Sequence, residues 1–223
     1  MKNLAPYIDH TLLNLEASED QLRKLCAEAR EYKFATVCVY PKHIPFCKKE
    51  LAGSSVKPIA VVGFPTGRET TEQKVNETHD AIKKGALEID MVINVAKLKE
   101  RKLRTVYRDI RKVVLAARPL PVKVILETCL LDHEEKVIAS ALSRAANAAF
   151  VKTSTGFSTG GATQEDIALM RSVVGPKMGV KASGGVRTRE AALQMISAGA
   201  TRIGTSNGVA IVTGGSSGPN PVY

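Results

Sequence analysis

Asn147-Ala148-Ala149-Phe150-Val151-Lys152-Thr153-Ser154-Thr155-Gly156-Phe157 holds a helix exit, a strand and a polar loop in one short span. Asn147 suits the left-handed residue that commonly closes a helix. The apolar run that follows reads as a buried strand, and it ends in Lys152. A charged ammonium is rarely left at the edge of a core without a partner. The same junction, a left-handed former followed by alanine and a strand, recurs at Gly85-Ala86 and Gly199-Ala200.

Working outward, strands are predicted at 7–12, 34–40, 58–64, 87–94, 121–128, 149–152, 178–182 and 201–206, with Pro41 and Pro65 stopping the second and third. Helices fill the intervals. Ser18-Glu19-Asp20-Gln21 is a capping box, followed by Leu22, Leu25, Cys26 and Ala29 on one face. A lysine-rich segment reaches Leu51, and a polar helix runs from about Thr71 to Lys84. Leu103, Val106, Ile110, Val113, Val114 and Ala117 mark the next by their three-to-four spacing. Asp132 caps a helix expected to turn Val137, Ile138, Ala141 and Leu142 inward. Thr163 and Thr188 cap two more, with Ile167, Met170 and Val174 inward in the first, and Ala191, Met195 and Ile196 in the second. Alternating strands and helices with continuous apolar strand cores predict a single-domain α/β protein, a (β/α)8 (TIM) barrel, over residues 1–213. The rival, an open doubly wound sheet, has no G-x-G-x-x-G to open it. Residues 214–223, rich in Gly, Ser and Pro, read as a flexible tail.

The chain of 223 residues is 44% hydrophobic and 24% charged, an ordinary composition for a soluble globular protein. No apolar run is long enough to span a membrane, and residues 1–6 carry no apolar signal stretch, so a cytoplasmic protein is expected. Cys26, Cys38, Cys47 and Cys129 are scattered without metal-ligand spacing, so neither a disulfide framework nor a metal site is expected. Cys38 ends a strand and borders the expected site, or is simply a small buried hydrophobe. A net charge of +10 permits nucleic-acid binding. However, the basic residues are spread over helices, there is no Trp, and aromatics are only 4%, which is poor for base stacking. An anionic small substrate suits the same charge.

Met178-Gly179-Val180-Lys181-Ala182-Ser183-Gly184-Gly185 repeats the Val-Lys-x-Ser pattern of the Lys152 strand. If the two are neighbouring parallel strands in register, their lysines lie about 5–7 Å apart. Each ammonium then disfavours the other, and burial adds to the effect. A lysine left neutral is a nucleophile for carbonyls and can form a Schiff base. Either lysine alone reads more simply as a side chain snorkelling to water; the matched pair points to chemistry. Asp90 interrupts an apolar strand and needs a partner. It can govern a lysine's proton or activate a water, or it can be a structural ion pair. Asp9, His10 and Glu127 read as supporting groups, and His43, His79 and His133 as surface residues. Glycine loops follow the seventh strand (Ser183-Gly184-Gly185-Val186-Arg187) and the eighth (Gly204-Thr205-Ser206-Asn207-Gly208). Their position, with a short apolar segment after the second, fits a phosphate cradle. Arg187 either touches the phosphate or lies on the rim.

Together these segments resemble the deoxyribose-phosphate aldolase family, class I aldolases on the (β/α)8 barrel. The match runs through 7–13, 37–41, 88–94, 124–128, 151–157, 181–187 and 202–206, and the two lysine motifs are its most specific part. The resemblance implies that Lys152 forms the Schiff base, Lys181 depresses its basicity and Asp90 relays protons. The substrate and phosphate set is expected at Thr11, Thr155, Gly156, Gly184, Gly185, Val186, Arg187, Gly204, Ser206 and Asn207. The implied reaction is reversible cleavage of 2-deoxy-D-ribose 5-phosphate to D-glyceraldehyde 3-phosphate and acetaldehyde, with no metal or organic cofactor and with a homodimer or homotetramer as the assembly. Asn207 stands where the family usually has a second serine. Some members bring a C-terminal tyrosine to the site; Tyr223 is the last residue here and reads more simply as a free end. Two other readings compete: a phosphate-binding barrel lyase or isomerase with Lys152 as an electrostatic anchor, and a basic non-catalytic protein that binds nucleic acid.

Overall fold

The computed structural model describes residues 3–215. Eight parallel strands close into a barrel in sequence order: β1 (Ile8–Thr11), β2 (Thr36–Val39), β3 (Lys57–Val62), β4 (Glu88–Val92), β5 (Val122–Ile125), β6 (Phe150–Lys152), β7 (Gly179–Ser183) and β8 (Arg202–Thr205). Around them lie α1 (Glu19–Tyr32), α2 (Ile44–Glu50), α3 (Thr71–Lys84), α4 (Val95–Lys99), α5 (Leu103–Ala117), α6 (His133–Ala145), α7 (Gln164–Val174), α8 (Arg189–Ser197) and α9 (Gly208–Thr213). Most of the tail expected over 214–223, Tyr223 included, lies outside the described residues.

Helix starts follow from their caps. Ser18 with Gln21, Thr70 with Gln73 and Asp132 with Glu135 form reciprocal capping boxes, which satisfy donors that a helix leaves free. Thr163 and Thr188 cap α7 and α8 by accepting from Asp166 and Ala191 amides. The helix exits into β4, β6 and β8 use Gly85, Asn147 and Gly199 at positive φ, as the repeated junction predicts. Helix α4 was not anticipated; it is short, and Asn94 caps it by accepting from the Lys97 amide. Two sequence expectations are corrected. In α6, Ile138 and Leu142 are partly buried and pack against the core as expected, but Ala141 faces out, and the fully buried positions are Glu135, Ala139, Ser140 and Ser143. The buried positions follow a four-residue period through 135, 139 and 143, and α6 packs beside α5 and α7. His43 is not a surface residue: it is buried where the chain turns into α2, its Nε2 3.2 Å from the Asn14 carbonyl.

The strands place their side chains with period two. Ile8, Val37, Val39, Ala60, Val62, Ile89, Met91, Val124, Val151, Val180 and Ile203 join the apolar layer under the helices. Between them stand Asp9, Cys38, Asp90, Lys123, Lys152, Lys181 and Gly204, which turn to the barrel interior. The apolar runs that predict buried strands therefore form mostly the outer core, and the interior is largely charged. Among the described residues, a small apolar group, Leu13, Cys38, Ile59 and Val61, lies apart from the main core. Phe150 fills the interior below Lys152, and Gly179 on the adjacent strand gives it room: a Cβ there would lie 2.1 Å from its ring.

A second buried ion pair fastens the layers together. Lys74 of α3 is fully buried; its Nζ donates to Asp109 Oδ2 of α5 at 2.6 Å and to the Val92 carbonyl at the end of β4 at 2.9 Å. Thr71 Oγ1 donates to the other oxygen of Asp109 at 2.8 Å. Removing one member of such a pair strands a buried charge, which costs more than the pair itself contributes. Lys74→Met is expected to lower unfolding stability by about 3–5 kcal/mol, read from the denaturant midpoint; a loss below about 1 kcal/mol would be within the range of an exposed pair and would contradict this account.

Candidate active site

β6 and β7 pair in parallel with Lys152 directly opposite Lys181, the register that the two Val-Lys-x-Ser segments predict. Both side chains enter the barrel and meet Asp90 from β4. Lys152 Nζ lies 3.0 Å and Lys181 Nζ 2.8 Å from the same oxygen, Asp90 Oδ2. All three groups are at most 2% exposed. Sequence position thus brings the three expected catalytic groups into mutual contact.

The lysines differ in what else they touch. Lys181 is also 2.6 Å from Asp9 Oδ2 of β1; Lys152 has no second carboxylate partner within 4 Å among the described residues. Burial pushes the Lys152 ammonium below its usual pKa, and Lys181 adds to the effect while Asp90 opposes it. Lys181 is equally buried, but Asp9 and Asp90 more than offset that and hold it above the lysine range. Asp9 and Asp90 remain ionised against the burial that opposes it, because Lys181, Lys123 and, for Asp90, Lys152 face them; both are held below the usual carboxylate range.

Four participants were not singled out from the sequence. Lys123 of β5 lies 2.5 Å from Glu88 Oε2 and 3.0 Å from Asp90 Oδ1. Arg202 of β8 lies 2.7 Å from Asp9 Oδ1, which also accepts from Thr36 Oγ1 at 2.6 Å. The one partial signal is that Lys123 sits between Val122 and Val124, as Asp90 sits between Ile89 and Met91, but near a strand's beginning such a charge also reads as strand edge. Of the groups read as supporting, Asp9 touches Lys181 directly. Glu127 accepts from Thr155 Oγ1 at 2.5 Å and from the Thr155 amide; burial pushes its carboxyl up in pKa against those bonds. His10 faces outward to Glu28 at 2.7 Å and Phe34. Cys38 lies inside beside the network, its thiol raised by burial to about 11.

Lys152 lines a small cavity at the barrel mouth with Thr11, Leu13, Thr155, Ser183, Gly184, Gly204 and Thr205. Thr11, Thr155, Gly184 and Gly204 of the expected binding set are therefore at one site. Gly184 and Gly185 have positive φ and turn the loop after β7; Gly156 does the same after β6. The Ser183 hydroxyl is buried and unpartnered among the described residues. Val186 is buried, and its carbonyl accepts from Thr205 Oγ1 at 2.8 Å. Arg187 is exposed on the rim. Ser206 Oγ donates to Asn207 Oδ1 at 3.2 Å, and the Asn207 amide donates to Thr205 Oγ1 at 2.9 Å, so Asn207 folds back on its own loop. Gly204 stands inside the strand: a Cβ there would lie 2.2 Å from Ser183 Oγ and 2.8 Å from Lys181 Cε.

A parallel barrel with ion-paired lysines beneath its carboxyl-end mouth defines an aldolase-type lyase site, and the chain belongs to the DeoC/LacD family of aldolases, matching its description over residues 4–218. Among curated relatives, deoxyribose-phosphate aldolase of Streptococcus sanguinis (strain SK36) is 62% identical over 211 residues, covering 95% of this chain and 96% of the relative. The enzyme of that name from Bacillus cereus (strain Q1) is 57% identical over 222 residues, covering 99% and 100%. A solved tetrameric deoxyribose phosphate aldolase from Aeropyrum pernix superposes with a TM-score of 0.88 at 36% identity, covering 94% of this chain and 89% of its own. The chain is an enzyme, a carbon–carbon lyase of the aldehyde-lyase kind.

The tight fit at Gly204 yields a test. Gly204→Ala is expected to displace Lys181 and Ser183, to lower turnover at least about tenfold, and to cost about 1–3 kcal/mol of stability as an overpacked site does. Steady-state kinetics with a thermal melt checks both, and turnover within twofold of the parent would show that Lys181 tolerates displacement.

Proposed function

We propose that this enzyme cleaves 2-deoxy-D-ribose 5-phosphate reversibly to D-glyceraldehyde 3-phosphate and acetaldehyde through a Schiff base on Lys152, in deoxyribonucleotide catabolism. One observation carries the reading: of two buried lysines facing each other in register, only Lys152 lacks a carboxylate of its own, and only Lys152 lines the cavity. An ordinary lysine, pKa near 10.4, is neutral in only about one molecule in 2,500 at pH 7. Lys152, whose pKa burial depresses, supplies the neutral amine more often than that.

The Lys152 nitrogen attacks the aldehyde carbon of the open-chain sugar, and loss of water leaves an iminium. A base takes the proton of the hydroxyl at the third carbon. The bond between the second and third carbons then breaks, and its electron pair moves into the iminium. Glyceraldehyde 3-phosphate leaves, and an enamine remains. Protonation at carbon regenerates an iminium, and water releases acetaldehyde. Asp90 and the protonated Lys181 are the proposed route for these protons, since they contact each other and Lys152. Thr11, Thr155, Gly156 and the loops of Gly184, Gly185, Val186 and Arg187 and of Gly204, Ser206 and Asn207 are proposed to receive the sugar and its phosphate. The unpartnered Ser183 hydroxyl and the left-handed glycines support that placement.

The partner is a small phosphorylated sugar; neither nucleic acid nor a membrane enters this reading, and a cytoplasmic location is proposed with it. No helix among the described residues is long and apolar enough to cross a membrane. The tetrameric Aeropyrum relative supports a homodimer or homotetramer. Reduction with borohydride in acetaldehyde is expected to add the mass of an ethyl group at Lys152 and abolish activity; peptide mapping that finds Lys152 unmodified ends the Schiff-base proposal. Lys181→Leu is expected to lose turnover by at least about a hundredfold, the lower end of what a positioned proton-transfer group contributes, with full activity of the parent in chelator. Turnover should rise with pH through the depressed Lys152 pKa, below the ordinary lysine value of 10.5.

A further inference from the structure

We propose that Lys123 is a positioning residue for Lys152: it holds the second oxygen of Asp90 and completes the neutralisation of three buried carboxylates, which leaves Lys152 as the surplus amine of the barrel. The inference rests on the Schiff-base reading above and assigns to the third lysine the task of choosing which amine is free.

The barrel interior gathers Asp9 from β1, Glu88 and Asp90 from β4, Lys123 from β5, Lys152 from β6, Lys181 from β7 and Arg202 from β8. Three carboxylates face four cationic groups. Charge buried this far from water must be matched or discharged. Arg202 cannot give up its proton. Lys181 contacts two carboxylates at 2.6 and 2.8 Å. Lys123 contacts Glu88 and Asp90 at 2.5 and 3.0 Å and lies 4.0 Å from Asp9. Lys152 contacts only an Asp90 oxygen that Lys181 already holds. Among the described residues it is the one lysine of the three with a single carboxylate contact, and that carboxylate keeps two other ammonium partners, so its deprotonation gives up the fewest ion pairs.

The other groups that face the network do not alter this balance. Cys38 of β2 stays a neutral thiol at working pH. Glu127, after β5, engages Thr155 and has no cation within 4 Å among the described residues; Lys152 acts on its carboxyl from farther off, as the weakest of the influences on it. Lys57 is 4.0 Å from Glu88 Oε1, but its side chain is 54% exposed, so water screens it. Thr36, Thr155 and Ser183 carry no charge. Lys123 and Arg202 also lie over the Phe150 ring, at 5.7 and 5.2 Å from its centre.

The sign of each charge change follows. Without Lys123, three carboxylates are matched only if Lys152 keeps its proton. Without the charge of Glu88, the excess of cations grows and Lys152 loses its proton more readily. Removing both restores the original balance. The readout is the rate at which acetaldehyde and cyanoborohydride label Lys152 in the full chain, followed by peptide mass across a pH series. The half-point of labelling is expected to move to higher pH by about one unit or more in Lys123→Met. It moves to lower pH in Glu88→Gln and returns close to the parent in the double variant. An unmoved half-point in folded Lys123→Met, or a shift of the same sign in both single variants, overturns the proposal. If Lys123→Met does not fold, Glu88→Gln and the double variant decide it: a half-point unmoved in Glu88→Gln, or one that does not move back up in the double variant, overturns it equally. Absence of label on Lys152 in the parent would instead overturn the Schiff-base reading, a result distinct from labelled variants whose half-points coincide.

Discussion

The carboxylate of Asp90 is the point on which the site depends. One of its oxygens is shared by Lys152 and Lys181, and the other is held by Lys123. A single buried anion therefore faces three amines from three successive strands. Such an anion lies far below the usual carboxylate range and stays charged. It attracts all three ammonium groups but cannot satisfy them, so the outcome is set by which amines have another anion nearby. Asp9 answers for Lys181, and Glu88 for Lys123. Lys152 is left with a third of one carboxylate.

The barrel makes this arrangement tolerable. Its stability resides mainly in the apolar layer between strands and helices, where the outward residues of every strand are buried. The interior is consequently free to hold charges that contribute little net stability, since desolvation offsets most of their attraction. Parallel pairing around a closed ring also fixes each inward residue in height, so a lysine on β6 cannot drift relative to one on β7. Rigid strands carry the charges; the loops above carry the glycines and hydroxyls that meet the ligand.

Much of this was legible in the sequence. Strand number, caps and left-handed junctions follow from local chemistry and were found where expected. The lysine pair was legible because both lysines sit in repeated motifs at strand ends. Lys123, Glu88 and Arg202 were not, because they lie toward the beginning of their strands, where a charge reads as strand edge. Their partners are also remote in sequence: Asp9 meets Arg202 across almost the whole chain. Only closure of the ring makes β1 and β8 neighbours. His43 and α4 escaped for a different reason. Each belongs to a segment too short to show a period.

The two lysines are near-twins in sequence, and their difference in charge state is imposed from outside their motifs. Each follows valine and precedes a hydroxyl-bearing loop, each is wholly enclosed, and each touches the same oxygen. Their inequality comes from ring position. β7 is followed by β8, and β8 lies against β1, so Asp9 reaches Lys181 across Gly204, where the missing Cβ leaves the lysine stem its path. β6 borders β5 on its other side, and there the residue in register with Lys152 is Ile125, with Lys123 one inward position lower opposite Phe150. The strand order that joins the chain's ends thus supplies a second anion to one amine and only an apolar neighbour to the other, and a pair that sequence alone presents as symmetric becomes, on the proposed reading, a proton carrier and a nucleophile.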